Sequence, residues 1–455
     1  MNAASVLAID IGTSSVRTAL FDLHARRQIS STAQQIYPVR YTSDGGAELE
    51  PVTLRNAVHR CIRQTLRHRH GDILAVGVSC FWHSLIGTDT KGKPVTPIYT
   101  WADSRCWQQA RQLRSEFSER RYHARTGCML RAQYWPAKLR WLKKVRATRW
   151  LSPAEWLTGA PHMSFSMASG TGLFDLARGD WIDWAPRTNL LPVSDAPFQS
   201  SVFPALADVP WFPAIGDGAA GNLGSDATRP GIAAINFGTS AAVRMVSQTG
   251  NAPFGLFRYR VDNKRLLIGG AISNAGNLWD WCRRELQTRK VTGKSAHELT
   301  VLPFWVGERA PTWPEDLRGA ITGLTLSTTA DDIFQAVTNA AFYRLADIAK
   351  MLPAKKFVVS GGLTKSPTDL QRLVDVLGRK VTVCTEPEAS LRGAAVFALE
   401  KLGVEVPPLP AGRVLKPRRQ LTALHAEARR RQAQLERRYG NCNCFTDACR
   451  LPISC

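Results

Sequence analysis

The chain has 455 residues, 44% hydrophobic and 21% charged, with a formal net charge of +22. At roughly 100–200 residues per domain this predicts two large packed domains and excludes a disordered chain. It also excludes a spanning helix, since no apolar run reaches the ~18 residues a bilayer requires, and the start MNAASVLAIDIGTSS lacks the features of an export signal.

The positive charge is concentrated. Residues 105–150 hold 13 Lys/Arg against 2 Asp/Glu, and residues 411–455 hold 10 against 3. Such fields attract anions, whether ATP, an aldonate or nucleic acid, without choosing between them. Cys61, Cys80, Cys106, Cys128, Cys282 and Cys384 have no metal or disulfide spacing and are expected as reduced thiols of a cytoplasmic protein. Cys442, Cys444, Cys449 and Cys455 crowd the C-terminus; without a histidine or CxxC pair they read as a tail rather than a metal clip.

The first predicted element is a β-hairpin. Residues 8–17, AIDIGTSSVR, alternate apolar positions around a Gly-Thr-Ser turn. A strand follows at 73–80, ILAVGVSC, with Trp82-His83 just beyond it, and a helix at 105–121. Pro and Gly cluster at 204–213, which puts a domain boundary at 212/213, before AIGDGAAGNLG. Residues 234–244, AINFGTSAAVR, then repeat the hairpin 226 residues after the first. Helices are expected at 331–350 and 390–402, around a strand at 356–362. VEVPPLPAG, 404–412, closes the second domain at 405 and releases a basic tail, 406–455, in which 421–439 reads as one Arg-rich helix. Strands alternating with helices predict an α/β fold. The two hairpins predict two similarly built domains, each presenting consecutive N–H groups as an anion grip to a shared cleft.

Along the chain, LAIDIGTSSVRTALFD (7–22), TWADSR (100–105), SGTGLFD (169–175), GDGAAGNLGS (216–225), INFGTS (235–240), GGAISNAGNLWDW (269–281), GERAPTWPEDLRGAITGL (307–324) and VVSGGLTKSP (358–367) occur in order. This ordered set resembles the FGGY carbohydrate kinases of the actin/hexokinase/Hsp70 superfamily, over roughly residues 5–405. TWADSR, TGLFD and GERAPTW look most like the gluconokinase branch. The resemblance implies two ribonuclease H-like (actin-like ATPase) domains, 1–212 and 213–405, flanking a deep cleft. It also implies ATP- and Mg2+-dependent phosphorylation of a hydroxyl on a small sugar or sugar acid. The segments around 140–165 and 176–215 are short for the family.

Phosphoryl transfer needs a held triphosphate, a metal, an aligned hydroxyl and a base. Asp217, among residues too small to block it, is the expected base, since a free Asp has a pKa near ~3.9. By itself GDGAAG also reads as a glycine turn; the resemblance puts the family's catalytic aspartate there. Asp10, beside the first turn, suits water-mediated Mg2+. The resemblance implies that Thr13, Ser14, Ser15 and Arg17 face the phosphates along with Gly12, that Gly238 and Thr239 repeat that grip, and that Gly276, Asp280, Gly361, Gly362 and Ser366 contact nucleotide. His83, Trp101, Asp103 and Tyr134 are the acceptor candidates, together with Asp217. Trp101 offers a flat face and Asp103 and His83 offer hydrogen bonds, although each alone reads equally as core packing. The 307–324 block reads as architecture.

Two other readings stand beside this one: a ketose or polyol kinase, xylulose- or glycerol-like, and a catalytically silent actin-like sensor whose tail binds nucleic acid. The expected partner is a small sugar or aldonate, with a homodimer allowed and no membrane.

Overall fold

The computed structural model describes residues 4–27, 32–67, 71–185, 189–288 and 298–441. The four C-terminal cysteines lie outside the described residues.

The chain forms two compact units. Unit 1 comprises Met1–Arg229, Val246–Ile268 and Glu388–Pro410; unit 2 comprises Pro230–Met245, Gly269–Pro387 and Ala411–Cys455. A single cut at 212/213 does not describe them, because the chain returns to unit 1 twice. The segment after 411, expected as a separate tail, belongs to unit 2.

The strands of unit 1 are β1 (Ser5–Ile11), β2 (Ser15–Phe21), β3 (Ala33–Ile36), β4 (Ile73–Cys80), β5 (Phe198–Gln199), β6 (Pro210–Trp211) and β7 (Ile215–Gly216). Those centred on unit 2 are β8 (Ile232–Phe237), β9 (Ala241–Ser247), β10 (Lys356–Gly361), β11 (Val381–Val383) and β12 (Val414–Leu415). The helices that carry or brace the candidate residues are α1 (Pro51–Leu66), α2 (Trp135–Trp141), α3 (Asp217–Gly224), α4 (Gly276–Glu285), α5 (Ala330–Met351), α6 (Pro367–Leu377), α7 (Ala389–Lys401) and α8 (Arg419–Asn441).

In unit 1 the sheet order is β5-β6-β4-β1-β2-β3, with β7 also paired to β4. β1 is buried along its whole length, as expected of a strand covered on both faces, so its apolar run is continuous rather than alternating. Both expected hairpins form. β1 turns antiparallel into β2 and pairs in parallel with β4; β8 turns antiparallel into β9 and pairs in parallel with β10. The sequence repeat is thus a repeat of topology. The turns close through the Gly12 N–H donating to the Ser15 carbonyl and the Gly238 N–H to the Ser240 carbonyl, each at 2.9 Å.

The expected helix at 105–121 is two helices. Trp107–Glu116 ends at an extended Phe117, and Ser118 caps a second helix, Glu119–Thr126, by accepting from the Arg121 N–H. An N-cap serine beats helix continuation because it satisfies an orphan backbone donor. The strong basicity of this region is partly neutralised: Arg105 pairs with Glu48 and Asp103, Arg125 with Asp175 and Asp183, Arg131 with Glu119, and Arg140 with Glu116.

The 216–225 stretch is a helix rather than a glycine turn. Its glycines serve packing. A Cβ on Gly224 would lie 1.7 Å from the Ala389 carbonyl oxygen, and one on Gly393 would lie 1.8 Å from that of Ala220. α3 and α7 therefore meet backbone to backbone. Gly77 of β4 gives α7 the same access, with a Cβ 2.1 Å from the Ala394 carbonyl oxygen.

Five strands of the second, seven-stranded sheet run in the order β9-β8-β10-β11-β12. Phe237, Trp279 and Phe342 form an aromatic core, with ring centroids 5.3–5.7 Å apart. α5 starts with a capping box between Thr329 and Asp332, which explains its sharp N-terminus. α8, the Arg-rich helix expected at 421–439, buries His425 and Gln432. His425 meets the Tyr343 hydroxyl at 3.1 Å, and Glu436 pairs with the buried Arg344 at 2.7 Å. Just before α8, Arg418 pairs with the buried Asp375 at 2.6 Å. Among the described residues no helix is long and apolar enough to cross a membrane.

Because the α3–α7 contact leaves no space for a methyl group, Gly393→Ala should cost about 1–3 kcal/mol. Urea unfolding checks this; a midpoint equal to that of the parent protein would show that the helices can separate freely.

Candidate active site

In unit 1 the β1–β4–β7 register brings acidic residues together. Asp10 and Ile215 are both partners of Ser79, so two strand spacings, about 10 Å, separate their Cα atoms. Asp217 follows two residues after Ile215 and opens α3. Its side chain accepts from the Gly218 N–H at 2.7 Å, while its carbonyl accepts from the Ser390 hydroxyl at 3.4 Å. Gly216 allows this approach, since a Cβ there would lie 1.7 Å from the Trp82 indole.

Asp10 is buried and accepts from the Ser79 hydroxyl at 2.8 Å. Burial pushes its carboxyl up to about 6; the Ser79 hydrogen bond opposes this, the Asp217 charge adds to it, Arg17 opposes it and Glu388 adds again. Arg17 stands between two carboxylates, 4.0 Å from Asp10 and 3.4 Å from Glu388. Neither Glu388 nor Ser79 is legible as a site residue in the sequence. Glu388 lies 371 residues beyond Arg17 and precedes a helix with no motif around it.

The first turn is held from two sides. The Tyr37 hydroxyl donates to the Gly12 carbonyl, and the Tyr37 N–H donates to that of Ser14 at 3.1 Å. The Trp101 indole N–H donates to the Thr13 hydroxyl at 3.1 Å. Trp101, an acceptor candidate, thus touches a phosphate candidate directly. Ser15 begins β2 opposite Ile36.

His83 sits at φ 67, in the left-handed region that non-glycine residues rarely occupy. Its Nδ1 lies 2.5 Å from the Gly170 carbonyl oxygen. Tyr134 and Tyr259 meet its ring at steep interplanar angles, 72° and 62°, with centroids 5.0 and 5.5 Å away.

Two acceptor candidates are committed inside the protein. Asp103 is 1% exposed, and its carboxylate accepts from the Ala47 N–H, the Arg105 N–H and the Arg105 guanidinium. It braces its own loop, with four N–H groups donating to it. The Tyr134 hydroxyl meets that of Tyr259 at 2.7 Å and is equally buried.

In unit 2 the second turn meets the start of α4. The Gly276 N–H donates to the Gly238 carbonyl at 3.0 Å, and the Asn277 N–H to that of Thr239 at 3.3 Å. Gly276 permits this contact, since a Cβ would lie 2.5 Å from the Gly238 carbonyl oxygen. Gly361, at φ 90, passes against the Phe237 carbonyl in the same way, at 2.5 Å, and Gly362 follows it. The two other nucleotide candidates lie on helices of the same unit. Asp280 is exposed on α4 and pairs with Arg283 of its own helix at 3.5 Å. Ser366 caps α6, with its hydroxyl 2.9 Å from Asp369, because the proline at 367 starts a helix there. The 307–324 block is architectural: buried Glu308 accepts from the Ser273 N–H at 2.6 Å and the Asn274 amide at 3.0 Å, fixing the loop that leads into α4.

Residues 5–197 match the N-terminal domain, and residues 233–401 the C-terminal domain, of the FGGY family of carbohydrate kinases. The chain belongs to this family. It is therefore an enzyme that transfers a phosphoryl group from ATP to a carbohydrate hydroxyl, on an actin-like ATPase fold. This FGGY kinase is 28% identical to a gluconokinase of Bacillus subtilis strain 168, with 88% of each chain covered. It is 27% identical to a glycerol kinase of Cereibacter sphaeroides, covering 88% of this chain and 91% of that one. Among solved structures, a ligand-bound xylulose kinase from Lactobacillus acidophilus superposes with a TM-score of 0.88 and a gluconate kinase from the same organism with 0.87. Both are 22% identical and cover 96% of this chain and 99% of their own.

The raised Asp10 pKa fixes the sign of a pH effect. Protonated Asp10 stabilises the folded state below the ordinary value of 3.8, and that contribution is lost as pH rises through about 6. At pH 7 the buried charge costs on the order of 3 kcal/mol. Asp10→Asn should therefore be more stable than the parent at pH 7, with the gap shrinking toward pH 4.5. Melting temperatures across that range measure it, and a gap that stays constant with pH would remove the buried charge as its cause.

Proposed function

We propose that this FGGY kinase phosphorylates a gluconate-like sugar acid, with Asp217 accepting the hydroxyl proton. The carrying observation is the placement of Asp217 at the head of α3, immediately after a strand that shares Ser79 with Asp10. Strand ends of this kind are where ligands collect in α/β folds. A carboxylate there can take a proton while phosphoryl transfer proceeds.

Asp10 is proposed to hold Mg2+ through water. Its buried, under-compensated charge is what a cation would relieve. Among the described residues no three His, Cys, Asp or Glu side chains form a metal cage, which suits an ion held by one carboxylate, water and substrate phosphates. When bound, that ion would supply neutralisation of phosphate charge. Arg17 would add a charge-assisted hydrogen bond to a phosphate once released from Glu388. The turn N–H groups at 12–15, with the Thr13, Ser14 and Ser15 hydroxyls, would orient phosphate oxygens. In unit 2, Gly238, Thr239, Gly276, Gly361 and Gly362 are read as nucleotide contacts, as the family resemblance implies; Gly276 and Gly361 let the chain pass tightly against the backbone of Gly238 and Phe237. His83 and Trp101 are read as the acceptor contacts. Free cysteines at 61, 80, 106, 128, 282 and 384 suit a reducing, cytoplasmic setting.

The preference for a sugar acid rests on likeness to the B. subtilis gluconokinase and the L. acidophilus gluconate kinase. The basic segment 105–150 adds little, since its arginines at 105, 125, 131 and 140 already have carboxylate partners. A ketose or polyol acceptor is the second reading, favoured by a xylulose kinase that superposes at least as well as the gluconate kinase and a glycerol kinase nearly as similar in sequence as the gluconokinase.

ATP consumption with gluconate, ketopentoses, glycerol and erythritol should be fastest with gluconate; preferential use of a ketose or glycerol would favour the second reading. Asp217→Asn should lower kcat by about 10²–10⁴-fold while retaining ATP binding. A rate near that of the parent would take Asp217 out of the mechanism.

A further inference from the structure

Lys138 lies in α2 and is 1% exposed. Its ammonium donates to the carbonyls of His83 at 3.2 Å, Thr100 at 2.9 Å and Gln133 at 2.8 Å. These three carbonyls come from separate stretches of chain. The first belongs to His83 itself, the second precedes Trp101 and the third precedes Tyr134. One buried cation therefore gathers the backbone beneath every aromatic or imidazole acceptor candidate in unit 1.

An ammonium is a costly way to fill space. All three partners are neutral carbonyls, and removing the charge from water without a direct ion pair is unfavourable. That cost is visible in Lys138 itself: burial pushes its pKa down to about 8, against smaller opposing effects of Cys106 and Asp103. A methionine or leucine would pack at lower cost, so the structure requires the three donors rather than the volume. His83 supplies the reason. Its left-handed backbone is strained, and such conformations persist only where the surroundings over-determine them. The Lys138 bond to its carbonyl and the Gly170 carbonyl on its ring are two such constraints, acting from opposite ends of the residue.

We propose that Lys138 is a positioning residue of the acceptor pocket, holding His83, Trp101 and Tyr134 in register by clamping three backbone carbonyls. It touches no reacting atom. Its effect on the reaction would pass through the geometry of the acceptor contacts, where small misplacements are costly in rate. The kinetic part of this inference rests on the kinase reading above; the structural part does not.

The test uses the full chain with Lys138→Met, which keeps the volume and removes the donors, and Lys138→Gln, which restores amide donors without the charge. Hydrogen exchange is read on segments 81–85, 99–103 and 131–135, with 232–247 as the internal control. Steady-state kinetics use ATP with whichever acceptor the parent enzyme phosphorylates. In Lys138→Met, exchange should accelerate in the three segments and stay unchanged in the control. Its acceptor KM should rise by about 10-fold or more while the ATP KM stays within about twofold. Lys138→Gln should fall between the parent and Lys138→Met, and it carries the test if the methionine variant does not fold. Unchanged exchange in the three segments, or equal losses in both KM values, would overturn the proposal. If the parent phosphorylates no acceptor, the kinase reading fails while the exchange arm still decides whether the clamp exists.

Discussion

The backbone contact between α3 and α7 is the constraint on which the candidate site depends. Gly224 and Gly393 remove the side chains that would hold the helices apart, and Gly77 lets α7 settle on β4. With α3 pinned there and β7 paired to the end of β4, Asp217 has little freedom in where it begins its helix. The same contact draws in Glu388, which precedes α7 and reaches Arg17. A helix supplied by residues far along the chain thus completes the site built on the first hairpin.

That arrangement stores electrostatic tension. Asp10, Asp217 and Glu388 bring negative charge to one region of unit 1, and burial of Asp10 makes the charge expensive. Arg17 and the Ser79 hydroxyl compensate only in part. Functional sites often carry such uncompensated groups because substrate or metal completes the balance. The protein's stability and its chemistry therefore make opposite demands on the carboxylate at position 10.

The acceptor side is built differently. Two of its candidate residues, His83 and Tyr134, pack ring against ring, and a third, Trp101, is bonded to Thr13 of the phosphate turn. Asp103 lends its charge to Arg105 and its loop, so the polar residue expected to meet substrate serves to hold the frame. Trp82 lies under both Gly170 and Gly216, with its indole N–H on the Ser166 carbonyl, and so shapes the floor behind the site.

The sequence by itself determined the α/β class, the duplicated hairpin and the family, and it put Asp10, Thr13 and Asp217 forward as candidates. These are local signals: apolar alternation, a Gly-Thr-Ser turn and ordered short motifs all act over a few residues. The division into units, the helical role of the glycines after Asp217, the capping roles of Ser118 and Ser366 and the inward commitment of Asp103 were decided only in three dimensions. So were Glu388 and Lys138, whose partners lie 371 residues away in one case and on three separate segments in the other. No local pattern encodes such pairings, because what selects the residue is a carbonyl or a guanidinium brought to it by packing elsewhere in the chain.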